Sequence, residues 1–371
     1  MALSKLIILC MIAALFLVYY RINEIKKLSD AKPLRYCRLN GSDLMVVSNT
    51  TLQLFKQSLE GEGGYEFTYN PVNANLLFFN LLADYPNLYD TVNRIDACSF
   101  IYGLLTIDRF ASKSEMYRYL KSILPEKVVK AIMPKTYLLS KDDVWKFNKE
   151  YDPSKLYIFK KNIQRQTGVK IIRNIKRIEE FELEGYVVCQ ELLTDNFLVS
   201  RRKINIRKYV IIVVKKDVKV YLYYNGFIYY AKTPYNPQSS SEDVHITTGY
   251  IDREIYDNNP LTLQELYQQL GPRNNRLKQN IVRTLRTVFE AYVPLLNIQE
   301  SKNAPKTNFV ILGCDIAIDS QLEVKLMEIN KGPDMGVKDD RDGLLKSDLV
   351  SQSLRVAGAI SGEAKNLIRI I

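Results

Sequence analysis

The sequence predicts an α/β (α+β) protein with mainly antiparallel sheets, preceded by a small α/β N-terminal domain and an N-terminal transmembrane helix. Three observations carry that expectation. Asn308 to Asn330 reads as two apolar strands around an Asp-Ser-Gln turn. Lys203 to Val214 reads as a long strand in which polar residues alternate with isoleucines. Arg94 to Arg109 and Ser112 to Leu124 carry apolar residues at helical spacing, and Pro125 stops the second.

The chain has 371 residues, enough for two or three packed units, and 47% hydrophobic with 25% charged is the composition of a folded protein. With 52 basic against 41 acidic residues the net charge is +11, which favours an acidic partner such as an acidic protein tail, a nucleotide, nucleic acid or an anionic membrane. An AT-rich genome, which enriches Lys, Asn, Ile and Tyr, would leave the same excess. The single histidine, His245, excludes any mechanism or zinc site that needs two. Cys10, Cys37, Cys98, Cys189 and Cys314 are scattered without Cys-x-x-Cys spacing, which argues against a zinc site and a dense disulfide framework and for a reducing compartment.

Taken in order, Leu6 to Tyr20 is an uninterrupted apolar run that reaches spanning length with Met1 to Leu3 if Lys5 snorkels. No small-x-small site follows it, so an anchor is preferred to a cleaved signal peptide. Arg21, Lys26 and Lys27 outweigh Lys5 and the amino terminus, so the expectation is a single-pass membrane protein with its catalytic body in the cytosol. The sequons Asn40-Gly-Ser and Asn49-Thr-Thr point the other way. The expected division is 1–30 for the anchor and its basic flank, 31–110 for the N-terminal α/β domain, 111–200 for a central domain and 201–371 for a C-terminal domain with a metal site.

From Asp30 to Gly64 polar turns alternate with short apolar pieces, and Asn73 to Asn80 looks like a buried strand. Leu156 to Lys160 and Val169 to Ile172 form strands joined by a polar, glycine-containing loop. Such a hairpin can fold backbone amides over phosphate while Lys160 reaches an anionic oxygen, although an ordinary surface hairpin has the same pattern. After a helix near Glu179, the strand Tyr186 to Gln190 runs into Glu191-Leu192-Leu193, where main-chain amide and carbonyl can pair with a purine edge. On the next strand Lys203, Asn205 and Arg207 share one face and Ile204 and Ile206 the other, a cationic strip suited to phosphate. Strands continue through Val218 to Tyr224, turn at Asn225-Gly226 and return through Phe227 to Lys232. A polar loop then leads to His245-Ile-Thr-Thr.

In the last hairpin a loop from Ser320 to Glu323 sets Asp315 opposite Glu328, with Glu328 and Asn330 on one face and Met327 and Ile329 on the other. Facing carboxylates repel unless a cation lies between them, and Asp315, Glu328 and Asn330 are an all-oxygen set suited to magnesium carrying nucleotide phosphates. The hairpin alone also admits a solvated face with incidental acids.

In order and spacing these motifs resemble the tubulin-tyrosine ligase-like (TTL/TTLL) family, whose catalytic core is a variant of the ATP-grasp fold. Lys160 stands at the family's nucleotide lysine, and Arg165 to Val169, with Gly168, resembles its Arg-Gly-x-Gly-Ile loop. Gln190-Glu191-Leu192-Leu193 resembles the adenine hinge, and Lys203-Ile-Asn205-Ile-Arg207 resembles Lys-Phe-Asp-Leu-Arg. Tyr221-Leu-Tyr-Tyr-Asn-Gly resembles the strand and turn that follow, and His245-Ile-Thr247-Thr248 resembles His-Leu-Thr-Asn. Gly313-Cys-Asp315 and Glu328-Ile-Asn330 match the magnesium ligands; the resemblance runs from roughly Tyr85 to Ile360.

The resemblance implies ATP and Mg2+ as cofactors. It implies an ATP-dependent carboxylate–amine ligase that adds glutamate, glycine or tyrosine to an acidic protein acceptor, tubulin tails among them, through an acylphosphate. Lys203, Arg207 and Glu328 would act in catalysis; Lys160, Arg165, Gly168, Gln190, Glu191, Leu192, Lys203, Asn205, Arg207, His245, Thr247 and Thr248 would hold the nucleotide. No side-chain nucleophile is needed, which agrees with a single histidine.

Some positions depart from the family pattern. Asn205 replaces an aspartate, Thr248 the asparagine that holds the ribose, and Gln166 a loop glycine. Tyr229 stands where the family's strand carries an arginine near the γ-phosphate and the donor amino acid. Losing that guanidinium costs on the order of 2–3 kcal/mol unless Lys232, Lys203 or another cation replaces it. The competing reading is a membrane-anchored interaction protein that keeps the fold and has lost turnover. Nucleic-acid binding rests only on net charge, without a recognisable module.

Overall fold

The longest strands form where β-branched and aromatic residues run unbroken by Gly or Pro punctuation. The structure, a computed structural model, describes residues 34–38, 49–78, 94–104, 107–139, 141–163, 168–303 and 306–371. Its strands are β1 (Leu34–Arg38), β2 (Tyr65–Phe67), β3 (Leu76–Phe78), β4 (Phe100–Tyr102), β5 (Thr136–Leu138), β6 (Tyr157–Lys160), β7 (Val169–Ile172) and β8 (Val188–Glu191). They continue with β9 (Leu198–Val199), β10 (Arg202–Val214), β11 (Val218–Ala231), β12 (Thr247–Thr248), β13 (Thr307–Ile318), β14 (Val324–Asn330) and β15 (Leu367–Arg369). The result is a mixed α+β protein with two sheets. One has the order β12-β11-β10-β13-β4-β3-β1-β2, with β14 on β13, β15 on β11 and β9 on β10. The other is β5-β8-β6-β7, antiparallel throughout.

The larger sheet is antiparallel around β10 and parallel from β13 through β4, β3 and β1 to β2. Every residue of β10 from Lys208 to Val214 is buried, so both faces of the sheet are covered there. One cover is the helix Asn274–Asn303, whose Leu277, Ile281, Leu285, Val288, Phe289, Tyr292 and Leu296 recur at helical spacing and are buried. It packs on β10, β11 and β14. Each such Leu or Ile contributes roughly 1.5–3 kcal/mol by leaving water. A second helix, Asp340–Ala357, packs on β10, β11 and β13. Its N-cap is the Asp339 side chain, which accepts from Asp342 N, and Gly358 ends it with φ 81°, a left-handed conformation that costs glycine little.

Three expectations are corrected. Residues 94–109 are not one helix: Phe100–Tyr102 is β4, a β-forming triplet held between β3 and β13, and only Asp108–Ala111 is helical. Asn225-Gly226 is not a turn, since β11 runs straight through it. The pair serves a bulge, because the register with β10 slips between Lys208 and Val210 and a Cβ at Gly226 would lie 2.4 Å from Arg207 O. Asn225 Oδ1 meanwhile accepts from Gly226 N and Gln264 N. The single-pass membrane protein is the third correction. Among the described residues no helix is long and apolar enough to cross a membrane; the longest, Asn274–Asn303, carries Arg276, Lys278, Arg283, Arg286 and Glu290. Leu6 to Tyr20, on which that expectation rested, lies outside the described residues, as does the sequon at Asn40.

Lys208 is a cost built into this core. It is 2% exposed, and among the described residues its Nζ donates only to Asn225 O at 3.2 Å. Burial pushes its pKa down to about 7. The unfolded chain therefore binds more protons than the folded one between that value and the ordinary lysine range, so stability rises with pH across this window. Lys208→Met is expected to stabilise the protein at pH 7 by on the order of 2 kcal/mol. Thermal melts at pH 7 and 9.5 check this: the gap between variant and parent narrows at the higher pH, and a constant gap would place the cost elsewhere.

Candidate active site

Strand alternation on β10 puts Arg207 beside Asp315 of β13, its register partner. Arg207 Nε donates to Asp315 Oδ1 at 2.5 Å and Nη2 to Oδ2 at 3.0 Å, a bidentate pair with side chains only 11% and 15% exposed. Across the hairpin Asp315 stands opposite Glu328, and the register slips immediately after Asp315, so that Met327 is the extra residue of a bulge. Asn330 Nδ2 lies 3.3 Å from Asp315 Oδ2 and 3.4 Å from Glu328 Oε1. Lys113 Nζ lies 3.6 Å from Glu328 Oε2 and donates to Ile163 O at 3.0 Å. The two carboxyls titrate as a pair: burial lifts Asp315 against the pull of Arg207, while Lys113 and Lys160 outweigh burial and hold Glu328 low.

Asp315, Glu328 and Asn330 are thus brought together. Among the described residues no cluster of three or more His, Cys, Asp and Glu side chains occurs. A cation between the carboxylates would complete its coordination with the amide, water and ligand oxygens, as magnesium does. The donor set fits on one condition. The Asn330 amide presents its nitrogen to the carboxylates, and half a turn about its terminal torsion would present the oxygen instead.

Two more cations complete this end of the site. Lys160, at the end of β6, is 7% exposed, and Lys203, at the start of β10, is 3% exposed. Neither has a hydrogen-bond or ion-pair partner among the described residues. Burial pushes the Lys160 pKa down to about 8, against Glu328. Burial, then Lys160 itself, lowers Lys203 to about 8. Unpaired buried ammonium groups are costly, and two together amount to an anion receptor.

The hinge residues stand at the end of β8. Gln190 Nε2 donates to Thr136 Oγ1 at 2.8 Å, while its buried Oε1 has no partner among the described residues. Glu191 accepts from Lys155 Nζ at 2.6 Å, and its amide donates to Lys135 O. The Leu192 amide donates to Leu156 O. The Leu192 side chain joins Leu156, Ile158 and Ile171 in a small apolar cluster. His245 Nε2 donates to Ser239 O at 2.7 Å, leaving Nδ1 a buried acceptor without a partner among the described residues. Thr248 Oγ1 accepts from Tyr250 N, and Thr247 and Thr248 pair with Ala231 and Tyr230 of β11. Asn205 Oδ1 is buried and has no hydrogen-bond partner among the described residues. Gly168 accepts from Lys161 N at 2.8 Å, and a Cβ there would meet Ile163 at 2.8 Å. Arg165 and Gln166 lie outside the described residues.

A sequence profile of the tubulin-tyrosine ligase family matches residues 89–366. The chain belongs to that family. Among similar proteins, the probable tubulin polyglutamylase TTLL9 of Rattus norvegicus is 25% identical over 185 residues, covering 48% of this chain and 40% of its own length. The tubulin polyglutamylase ttll-5 of Caenorhabditis elegans is 27% identical over 198 residues, covering 47% of this chain and 27% of its own. The probable beta-tubulin polyglutamylase of Tetrahymena thermophila is 26% identical over 265 residues, covering 63% and 22%. The chain therefore spans well under half the length of these relatives.

Tyr229 lies opposite Asn205 on β11, with the Arg207 guanidinium 5.2 Å from its ring centroid. Lys232, one of the cations expected to replace the family's arginine here, pairs instead with exposed Asp243 at 3.4 Å, and Lys203 stands with Lys160. Lys113 and Lys338, both close to the site, escaped the sequence reading. The N-cap Ser112 marks a helix start that exposes the following residue, a weak signal for Lys113, and nothing local marks Lys338.

Removing Asp315 leaves a buried guanidinium unpaired. Asp315→Ala is expected to destabilise by about 3 kcal/mol and Arg207→Met with Asp315→Leu by less. Urea denaturation checks this, and a double variant worse than the sum of the singles would mean that the pair is not the dominant contact.

Proposed function

We propose that this chain is an ATP- and magnesium-dependent carboxylate–amine ligase of the tubulin-tyrosine ligase family, with its two sheets in an ATP-grasp-like arrangement. The observation that carries the reading is the meeting of opposite needs in one place. Lys160 and Lys203 are buried cations without partners among the described residues, and Asp315 and Glu328 are facing carboxylates. A polyphosphate accompanied by a divalent cation satisfies both. The division belongs to this reading as an N-terminal α/β domain at 31–110, a central ATP-grasp domain at 111–200 and a C-terminal ATP-grasp domain with the metal site at 201–371.

Asp315, Glu328 and Asn330 would hold magnesium, which when bound neutralises phosphate charge as it builds. Lys160 and Lys203 bind phosphate oxygens, and Arg207 fixes the Asp315 carboxylate while adding positive charge at the same end. The apolar cluster at Leu192 and the free Gln190 oxygen receive the base. His245 Nδ1, Thr247, Thr248 and Asn205 border the sugar side, and the loop carrying Arg165 and Gly168 covers the phosphates. ATP activates an acceptor carboxylate as the acylphosphate, and the amine of the joining amino acid displaces phosphate.

The named relatives favour glutamate as the amino acid and tubulin as an acceptor, and the net charge of +11 suits an acidic tail. The full chain incubated with magnesium, ATP and labelled glutamate, glycine or tyrosine, with tubulin and the chain itself as acceptors, is expected to transfer glutamate. Glu328→Gln should lower transfer roughly a hundredfold or more, and Lys160→Met should weaken ATP binding roughly tenfold. Equal transfer by Glu328→Gln would sink the reading.

A further inference from the structure

A row of contacts leads from the hairpin to a second cation. Glu328 faces Asp315, Arg207 holds Asp315 at 2.5 Å, and the guanidinium lies over Tyr229. The Tyr229 ring packs on Gly249, where a Cβ would come within 3.1 Å of it. That same Cβ position lies 3.5 Å from Lys338 Nζ, which donates to Gly249 O at 3.0 Å. Lys338 does not extend into water. It bends back over the Tyr250 ring, 4.3 Å from the centroid, and only 28% of its side chain is exposed. The Asp334 carboxylate, at 3.8 Å, is beyond hydrogen-bonding distance.

An ammonium with one donor spent on a carbonyl and a phenol ring therefore both lie against Gly249. Among the described residues the Tyr229 hydroxyl has no hydrogen-bond partner. This is not the space that Lys160 and Lys203 serve. Those two crowd Glu328 and His245, whereas the charged neighbours of Lys338 are Asp334, Lys346, Asp342 and Arg253. An N–H and an O–H donor side by side match the two oxygens of a carboxylate.

We propose that Lys338 and the Tyr229 hydroxyl receive a carboxylate of the joining amino acid and set its amine toward the hairpin, a role that rests on the ligase reading above. The test does not depend on turnover. The full chain, with magnesium and a non-hydrolysable ATP analogue, is titrated calorimetrically with L-glutamate and separately with a short oligoglutamate peptide. Lys338→Met is expected to weaken glutamate roughly tenfold or more, Tyr229→Phe less, and Lys338→Arg to restore most of the loss, with affinity for the analogue unchanged throughout. Equal glutamate affinity in the parent and Lys338→Met, no binding by the parent, or a loss confined to the peptide overturns the assignment. Lys338-dependent glutamate binding without any ligation overturns the ligase reading and leaves this site standing. Ligation whose KM for glutamate ignores Lys338 does the reverse.

Discussion

A guanidinium in the middle of a sheet must meet a carboxylate, and the Arg207–Asp315 pair is the constraint on which this site depends. The two residues are register partners on β10 and β13. A slip of one residue would turn Arg207 into the apolar layer and Ile206 or Lys208 toward Asp315. Because an unpaired charge in the core costs several kcal/mol, the pair selects one register against its neighbours. Once β13 is placed, the loop after Ile318 pairs that residue with Val324, and the bulge at Met327 then brings Glu328 opposite Asp315. The acidic face is thus a consequence of a basic residue on another strand.

Electrostatically the site is poor as a folded core and good as a receptor. Lys160 and Lys203 both lose pKa to burial, and neither recovers it through a partner among the described residues. Lys208 is depressed by burial as well but sits on the other face of β10, against a carbonyl. The difference is direction: Lys160 meets Lys203 and Glu328, while Lys208 meets the Asn225 carbonyl. Perturbed titration marks function only where several such groups meet.

The hairpin and the cationic strip were legible because both rest on a period of two, which local sequence displays directly. What failed depended on partners far along the chain. Asn225-Gly226 has turn chemistry, yet β11 continues through it, since glycine is needed there for the close approach of Arg207 O. Phe100–Tyr102 sat inside a helical apolar pattern, but parallel partners on both sides outweighed that pattern. Lys113 and Lys338 come from a helix start and a loop, where no periodicity reports which way a side chain turns. The membrane-spanning expectation rested on hydropathy in residues outside those described, and no described helix carries it.

Tyr229 makes sense once the cations around it are counted. An arginine at that position would stand against Arg207, with Asp315, Asp334 and Asp342 the acidic groups acting there. A tyrosine ring instead gives Arg207 a face to lie on, worth about 0.5–2 kcal/mol when partly buried. Its phenol stays neutral, with burial lifting the pKa to about 12 against the pull of Arg207. The positive charge that the resemblance implies for position 229 lies one contact further along, on Lys338, which donates to Gly249 O. Moving the charge separates it from Arg207 and leaves a hydrogen-bond donor in its place. Such a rearrangement keeps a cation at that end of the site without stacking two of them, so a changed residue at 229 is a different solution to the same charge problem.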